Sequence, residues 1–274
     1  MDYIQYNISC PLEMRDILVA LLSEHPFDTF EEVESSLLAY IPAHAENREV
    51  KKYVEDLVPH YQFQYERTFI PAQNWNEVWE SNFQPIQVGQ FCGVRAVFHT
   101  PFEDVQHELI IQPKMAFGTG HHATTYQVLE MMSGLDFQDK HVLDYGCGTG
   151  ILAILAAKLG ALSIDAIDVD EWAYENTLEN IAINHTPHIR VHQGMINQLE
   201  TRCYDIILAN ITLNVISSSL LALYRMLPAN GYLITSGFFE EDIPTLQEMA
   251  TTQGFSLLSS AQKERWACAL FKRV

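Results

Sequence analysis

Apolar and polar residues alternate along the first seventy positions in patterns that switch between strand and helix periods. Residues 3–9 alternate with a period of two, and residues 11–25 repeat apolar side chains at helical spacing. The same reasoning predicts strands at residues 30–34, 36–41 and 61–69, and a charged helix at residues 47–58 that ends before Pro59. The order strand–helix–strand–strand–helix–strand predicts a small ferredoxin-like α+β domain over residues 1–70.

Residues 71–114 form a connecting segment with less regular patterning. Trp75 and Trp79 are four positions apart, so they would share one face of a short helix at residues 74–82. Two strands are predicted after this helix, at residues 90–99 and 105–112.

Strands and helices alternate regularly from His121 to the end of the chain. Helices are predicted up to residue 132 and at residues 151–159 and 171–184, and strands at residues 141–144, 163–168, 189–192, 204–210, 231–236, 255–260 and 265–272. The last two strands are separated by too few residues for a crossover helix, so they must pair as an antiparallel hairpin. A parallel sheet that ends in such a hairpin is typical of Rossmann-like methyltransferases and unlike the sheet of nicotinamide dehydrogenases. The predicted fold is therefore α/β, with residues 115–274 as a Rossmann-like ligand-binding domain.

Composition limits the class of protein. The chain has 274 residues and is 48% hydrophobic, so it can bury the cores of a large and a small domain. It has no apolar run long enough to cross a membrane and no signal-peptide pattern at its start, which favours a soluble cytoplasmic protein. The five cysteines include no C-x-x-C pair, so we expect buried apolar thiols rather than disulfides or zinc ligands.

The chain is strongly acidic, with a formal net charge of −19 from 35 acidic and 16 basic residues. A field of that sign repels nucleic acid, whose binding depends on Lys and Arg neutralising phosphates, and it attracts a basic protein. Many soluble proteins are simply acidic, however, so charge taken alone leaves both interpretations open.

The strongest chemical signal is a glycine-rich turn between a predicted strand and a predicted helix. Its pattern D-x-G-x-G-x-G consists of Asp144, Gly146, Gly148 and Gly150. Glycines let a ligand approach the backbone, and the N-terminus of the following helix offers free N–H groups. Ile151 stands where a dinucleotide fingerprint has its third glycine, so the spacing favours S-adenosylmethionine over a nicotinamide cofactor.

Two acids stand at the end of the next predicted strand: Asp168 is its last residue, and Asp170 follows two positions later. An acid at the carboxyl end of the second strand can accept hydrogen bonds from both ribose hydroxyls of a nucleotide cofactor, and Asp168 stands at the expected spacing. Asp170 stands where a helix cap is expected. We therefore assign ribose binding to Asp168 and capping to Asp170.

The predicted strand at residues 204–210 ends in Asn210, at the edge of the sheet where ligands bind in such folds. Its amide oxygen could accept a hydrogen bond from an incoming amine and hold that amine in line with the methyl group of the cofactor. The alternative is that Asn210 only ends the strand and caps the next helix. Its place beside the other two motifs favours the catalytic role.

A loop of glycines, threonines and histidines precedes the helix that ends near residue 132. The loop consists of Phe117, Gly118, Thr119, Gly120, His121 and His122. Thr124 and Thr125 follow it and could cap the helix or contact the cofactor. Adjacent histidines rarely bind one ion together, and no carboxylate stands at ligand spacing, so no metal is expected here.

Together these motifs resemble the ribosomal protein L-eleven methyltransferase family over nearly the whole chain. The resemblance rests on the F-G-T-G loop, the glycine-rich turn, the D-V-D motif and the A-N-I motif. When the motifs of the family are matched to this sequence, the resemblance implies cofactor contacts at Thr125, Gly146, Asp168 and Asn210. The other residues of the loop and the turn are assigned to the same cofactor site: Phe117, Gly118, Thr119, Asp144, Gly148 and Gly150. The family usually has Thr and Pro where this chain has His121 and Ala123.

The resemblance also implies the reaction, which is N-methylation by S-adenosylmethionine. Its targets would be lysine side chains and the N-terminal amine of a basic ribosomal protein, and the small N-terminal domain would dock that protein. Methyl transfer needs a free lone pair, whereas a lysine with its ordinary pKa of about 10.4 is protonated at neutral pH. The sequence offers no obvious general base, so Asn210 is assigned to orienting the amine. The rivals are a methyltransferase for another protein or a small molecule, and a non-catalytic protein that binds the cofactor; neither nucleic acid nor membrane is an expected partner.

Overall fold

The structure of the chain, a computed structural model, describes residues 2–33, 36–71, 84–112, 114, 117–199 and 202–274. These residues form two compact units, Met1–Asn82 and Phe83–Val274. The helix predicted at residues 74–82, with Trp75 and Trp79, lies outside the described residues.

The first unit contains four strands and two helices. They are β1 (Tyr3–Ser9), α1 (Leu12–Leu22), β2 (Thr29–Val33), β3 (Ser36–Pro42), α2 (Arg48–Tyr61) and β4 (Gln64–Ile70). The element order is the predicted strand–helix–strand–strand–helix–strand order, and the antiparallel sheet has the strand order β2-β3-β1-β4. The alternation of β1 places Ile4, Tyr6 and Ile8 on the face that packs against both helices.

Helix α2 corrects one predicted boundary. Asn47 caps its start, since Oδ1 accepts hydrogen bonds from the N–H groups of Glu49 and Val50 at 2.8 and 3.0 Å. Pro59 does not end the helix, which continues to Tyr61. Proline lacks the N–H that would bond to the carbonyl four residues earlier, but so close to the C-terminus of the helix the loss of one bond does not stop it. The following strand consequently begins at Gln64 rather than at residue 61.

The second unit opens with a small three-stranded sheet. Its strands are β5 (Ile86–Val88), β6 (Cys92–Arg95) and β7 (His107–Ile110), in that spatial order. The strands predicted at residues 90–99 and 105–112 are both shorter in the structure, and β5 was not predicted. Strand β6 ends at Arg95 because the chain turns there, with the Ala96 N–H donating to Nδ1 of His99 at 3.1 Å.

A seven-stranded sheet with helices on both faces forms the rest of this unit. Its elements are α3 (Ala123–Met132), β8 (His141–Tyr145), α4 (Ile151–Lys158), β9 (Ser163–Asp168), α5 (Glu171–Ile183), β10 (Ile189–Gln193), β11 (Ile206–Asn210), α6 (Leu213–Met226), β12 (Tyr232–Phe239), α7 (Ile243–Thr252), β13 (Phe255–Lys263) and β14 (Trp266–Arg273). The strand order is β10-β9-β8-β11-β12-β14-β13. All neighbouring strands are parallel except β14, which is antiparallel to β12 and β13. The predicted terminal hairpin is confirmed.

Two apolar cores lie on opposite faces of this sheet. Helices α3, α4 and α5 contribute to one, and α6 and α7 contribute to the other. Because both faces are covered, the strand ends offer the open edge at which a ligand can reach the parallel strands.

Four of the five cysteines are buried as expected, but Cys203 is exposed. Across the described ranges, no helix is long and apolar enough to cross a membrane. The same residues contain no group of three or more His, Cys, Asp or Glu side chains placed to hold a metal ion.

Candidate functional site

A cavity of about 930 Å³ lies at the carboxyl ends of β8, β9 and β11. Its volume is within the range of small-molecule sites, and its walls are mostly apolar with a few polar groups. The lining residues are Phe117, His122, Thr124, Tyr145, Gly146, Gly148, Ile167, Asp168, Val169, Asp170, Ala173, Gly194, Met195, Ile196, Asn197, Asn210, Ile211, Thr212, Val215, Gly237 and Trp266. Five of the predicted site residues are among them: Phe117, Gly146, Gly148, Asp168 and Asn210.

The glycine-rich turn connects β8 to α4 beneath this cavity. The N–H groups of Gly146 and Cys147 both donate to the carbonyl of Ile167 on β9, at 2.8 and 3.2 Å. Gly148 has a φ of 55°, and a Cβ there would collide with the carbonyl oxygen of Phe117. Glycine is therefore required at position 148 by the backbone conformation and by the loop that crosses it.

Asp144 was predicted to bind the cofactor, but the structure places it under the turn and outside the cavity lining. Its side chain is buried, with 1% of the residue exposed, and Oδ2 accepts a hydrogen bond from the Ala153 N–H at 3.0 Å. Burial, together with the nearby Asp168 charge, outweighs that bond and raises the pKa of the Asp144 carboxyl to about 7. The side chain therefore fastens the first turn of α4 to the end of β8. Gly150 is likewise away from the cavity wall, as the N-cap of α4 beside Thr177.

The two acids at the end of β9 have different surroundings, and the ribose-binding role predicted for Asp168 stays a prediction. Asp170 caps α5, because Oδ1 accepts hydrogen bonds from the N–H groups of Trp172 and Ala173 at 2.7 and 3.2 Å. Asp168 lines the cavity, and its carboxylate accepts from the N–H groups of Gly148 at 3.0 Å and Asp170 at 3.1 Å. Each oxygen of a carboxylate has two lone pairs, so both retain one for a ligand hydroxyl.

The F-G-T-G loop lies across the glycine-rich turn. The Thr149 N–H donates to the carbonyl of Phe117 at 3.0 Å, and the Thr149 hydroxyl donates to that of Gly118 at 2.6 Å. Phe117 lines the cavity, whereas Gly118 and Thr119 are not in its wall. The loop therefore contributes one side chain to the site and uses its backbone to fasten the turn.

The two departures from the family pattern lie where this loop meets α3. Nε2 of His121 lies 2.8 Å from the carbonyl oxygen of Gln84, and Nδ1 lies 3.2 Å from the hydroxyl of Thr119. Ala123 is the first residue of α3, and the cap is His122, whose Nδ1 accepts from the Thr124 N–H at 3.3 Å. The loop is thus held by side-chain bonds on both sides of Gly120.

Asn210 is the last residue of β11, beside the cavity, and the nitrogen and the oxygen of its side-chain amide have different environments. Nδ2 donates to the hydroxyl oxygen of Thr125 at 3.1 Å. Oδ1 is buried and has no hydrogen-bond partner among the residues that the structure describes. The N-cap of α6 is Thr212, so Asn210 is not the cap that the alternative interpretation required. Thr125 was predicted to contact the cofactor, but it is fully buried behind Asn210 and is not in the cavity wall.

Several lining residues were missed in the sequence. Met195, Ile196 and Asn197 follow β10, whose end lies beside that of β9 and could have indicated them. Gly237 sits at a bulge of β12, which a lone glycine within a strand can signal. Trp266 begins β14, and its ring centroid lies 4.7 Å from that of His122; no local pattern places it near the other motifs.

This cavity fits S-adenosylmethionine. Asp168 offers lone pairs for the ribose hydroxyls, and the buried Oδ1 of Asn210 is an acceptor without a protein partner among the described residues. The apolar walls formed by Ile167, Val169 and Ile196 suit a flat purine ring. When bound, this cofactor supplies an electrophilic methyl group on a positively charged sulfur.

The strand order of the sheet, together with the glycine-rich turn and the cavity, defines a Rossmann-like methyltransferase that depends on S-adenosylmethionine. A methyltransferase from Pyrococcus furiosus shares the fold, with a TM-score of 0.52 and 17% identity over 60% of this chain and 88% of that one. The chain is also similar to the ribosomal protein L11 methylase from Lactobacillus delbrueckii subsp. bulgaricus, with a TM-score of 0.65 and 25% identity over 70% of this chain and 99% of that one.

The family model for ribosomal protein L11 methyltransferase (PrmA) matches residues 13–274. The ribosomal protein L11 methyltransferase of Porphyromonas gingivalis is 43% identical over 260 residues, which cover 93% of this chain and 90% of that protein. The corresponding protein of Phocaeicola vulgatus is 37% identical over 278 residues and 99% of each chain. The chain belongs to the ribosomal protein L11 methyltransferase family, as its motifs indicated.

Proposed function

We propose that this protein transfers methyl groups from S-adenosylmethionine to lysine side chains and the N-terminal amine of ribosomal protein L11. The observation that carries the proposal is that Asn210, whose buried Oδ1 has no hydrogen-bond partner among the described residues, lines the same cavity as Asp168. An amine has N–H groups to donate to such an acceptor, whereas a carboxylate substrate does not. The names of the relatives supply the identity of the substrate.

In this proposal the residues of the chain hold the two reactants in line. Asp168 binds the ribose, and Gly146 and Gly148 let the cofactor lie against the turn. Asn210 accepts an N–H of the amine through Oδ1, so the nitrogen lone pair can point to the methyl carbon. Holding reacting atoms about 3–3.5 Å apart in the correct orientation removes most of the entropic barrier to such a displacement.

The amine must also lose a proton before it can react. His122 is the imidazole among the described lining residues, and the Thr124 N–H donates to its Nδ1. Nδ1 also lies 2.8 Å from the Thr124 hydroxyl, so the imidazole of His122 is engaged with the start of α3. We infer that the amine enters neutral, because apolar walls disfavour its charged form and lower its pKa.

The first unit supplies a surface for a basic protein substrate. The face of its sheet opposite α1 and α2 includes Tyr3, Gln5 and Asn7 of β1 and, paired with them in register, residues of β3 and β4. Among the described strand residues of that face, Glu31 and Glu66 are charged and none is Lys or Arg. Negative charge on this face complements a lysine-rich partner and speeds its encounter with the enzyme.

Mass spectrometry of L11 after incubation with the protein and S-adenosylmethionine tests this function. We expect mass increments of whole methyl groups, and fragmentation that locates them on lysines or on the N-terminal amine. If the protein binds S-adenosylmethionine but leaves L11 unmodified, L11 is excluded as its substrate. Modification of a different side chain would show that the substrate protein is right and the amine assignment is wrong.

A further inference from the structure

A row of four aromatic rings joins the loop before α3 to the end of β12. The ring centroids of Phe117 and His122 are 5.3 Å apart, those of His122 and Trp266 are 4.7 Å apart, and those of Trp266 and Phe239 are 4.5 Å apart. Such distances are typical of favourable aromatic pairs. Phe117, His122 and Trp266 line the cavity. The row therefore forms an aromatic wall, in which Trp266 has no role in the function proposed above.

The position of Trp266 is fixed by its neighbours on several sides. Its strand β14 lies between β12 and β13, and Trp266 pairs with Phe239 on the first and Lys263 on the second. Its carbonyl oxygen accepts a hydrogen bond from Nε2 of Gln127 on α3 at 3.2 Å. Its ring contacts that of His122 as well as that of Phe239. A side chain supported in this way offers a ligand a surface of defined position.

The strand order of the sheet shows which part of the cavity Trp266 faces. Asp168 ends β9 and Asn210 ends β11, with β8 between them; Trp266 begins β14, which is separated from β11 by β12. Neighbouring strands are about 4.8 Å apart, so β14 lies about 10 Å beyond β11, on the side away from Asp168. In S-adenosylmethionine a single methylene joins the ribose ring to the sulfur that carries the methyl group. With the ribose on Asp168, the wall at Trp266 is therefore left to the substrate.

A flat apolar wall suits one of the two proposed kinds of substrate amine. A lysine side chain has four methylenes between its Cα and its nitrogen, and they can pack against an aromatic ring. Burying one methylene changes an affinity by about fourfold. An N-terminal amine is bonded directly to its Cα and has no such methylenes. The wall can consequently distinguish the two amines.

We propose that Trp266 is a specificity-determining residue, whose ring packs against the methylenes of the substrate lysine and favours lysine side chains over the N-terminal amine. This inference rests on the proposed function, in which both kinds of amine of L11 are methylated. It concerns the substrate side of the cavity and leaves the assignments of Asp168 and Asn210 unchanged.

The test compares Trp266→Ala with Trp266→Phe in the full-length protein. Mass spectrometry of L11 measures kcat/KM for the lysines and for the N-terminal amine in the same sample, so changes in L11 docking affect both values. We expect Trp266→Ala to lower the lysine value by about tenfold or more, as for two or more methylenes that lose their contact, and the N-terminal value by less than about threefold. Trp266→Phe keeps a flat ring and should restore most of the lysine rate.

Two controls separate this role from support of the fold or of the cofactor. The Kd for S-adenosylmethionine, measured by calorimetric titration, should be unchanged in Trp266→Ala. Trp172 is 66% exposed and outside the cavity wall, so Trp172→Ala is the same substitution at a site where neither rate should change. If Trp266→Ala does not fold, Trp266→Val replaces it, because a branched side chain suits a strand.

Three results would overturn the inference. They are a normal lysine rate in Trp266→Ala, equal losses at the two kinds of amine, and a Kd for S-adenosylmethionine that weakens as much as the lysine rate falls. The last of these would assign Trp266 to the cofactor. If the unaltered protein methylates only lysines, a lysine loss that phenylalanine restores at an unchanged Kd supports the inference, and a normal rate overturns it.

These outcomes differ from a failure of the proposed function. If the unaltered protein binds S-adenosylmethionine but leaves L11 unmodified, the proposed function fails and the inference fails with it. If the unaltered protein methylates only the N-terminal amine, methylation of L11 stands and the role of Trp266 in lysine binding is wrong.

Discussion

The backbone N–H of Gly148 donates a hydrogen bond of 3.0 Å to Oδ2 of Asp168, which joins the glycine-rich turn to the acid at the end of the next strand. The same carboxylate accepts from the Asp170 N–H through Oδ1. Asp168 therefore holds the turn in place and still has a lone pair on each oxygen for the cavity. Two motifs that are separate in the sequence meet in one wall of the cavity through this contact.

The first prediction concerns Asp168. Asp168→Asn keeps an acceptor for one backbone N–H but loses the charge and one acceptor for ribose. We expect the affinity for S-adenosylmethionine to fall at least about tenfold, since a hydrogen bond to a charged group contributes roughly 1.5–3 kcal/mol. Calorimetric titration gives the affinity, and Asp170→Asn is the control, with a smaller effect on binding. Unchanged affinity in Asp168→Asn would remove it from the ribose site.

Asn210→Ala should separate catalysis from stability. Thr212, not Asn210, occupies the N-cap of α6, so we expect a near-normal melting temperature. If Oδ1 orients the amine in the transition state, kcat and kcat/KM for L11 should fall together. Single-turnover methyl transfer and thermal melting on the same sample decide the matter. A destabilised variant with a normal rate would contradict the catalytic assignment.

Asp144 predicts a pH dependence of stability. Burial raises the pKa of the folded-state carboxyl from 3.8 to about 7. The protonated carboxyl therefore contributes its full stability at pH values below the pKa of the unfolded state, and this contribution is lost as the pH rises through about 7. Asp144→Asn imitates the neutral form and should remove this loss. We therefore expect the variant to gain stability relative to the unaltered protein between about pH 5 and about pH 8, by an amount on the order of a few kcal/mol. Chemical unfolding at both pH values measures the difference, and a pH-independent gap between the two proteins would show that Asp144 stays ionised throughout.

The two compact units lead to a prediction about a fragment. Residues 83–274 contain the whole cavity and both cores of the large sheet. Such a fragment should fold and bind S-adenosylmethionine, but it should methylate L11 poorly because it lacks the acidic sheet face of the first unit. Cofactor affinity and the rate on full-length L11 are the two measurements. A fragment as fast as the whole chain at low L11 concentration would exclude a docking role for the first unit.

The sequence by itself determined the features that depend on neighbouring residues. Strand and helix periods gave the order of elements, and the short gap between the last two strands allowed only the antiparallel hairpin of β13 and β14. The turn from Asp144 to Gly150 and the acids at 168 and 170 were recognisable for the same reason, because each is a contiguous stretch with its own backbone requirement.

The tertiary structure alone decided which of these residues face the cavity. Asp144 belongs to the glycine motif but is buried beneath it, because its side chain accepts the Ala153 N–H on the far side of the turn. Trp266 joins the site because the hairpin folds back beside β12. Thr125 bonds to Asn210 although 85 positions separate them, since α3 packs where β11 ends. Such contacts follow from the packing of elements that are distant in sequence, and no local period encodes them.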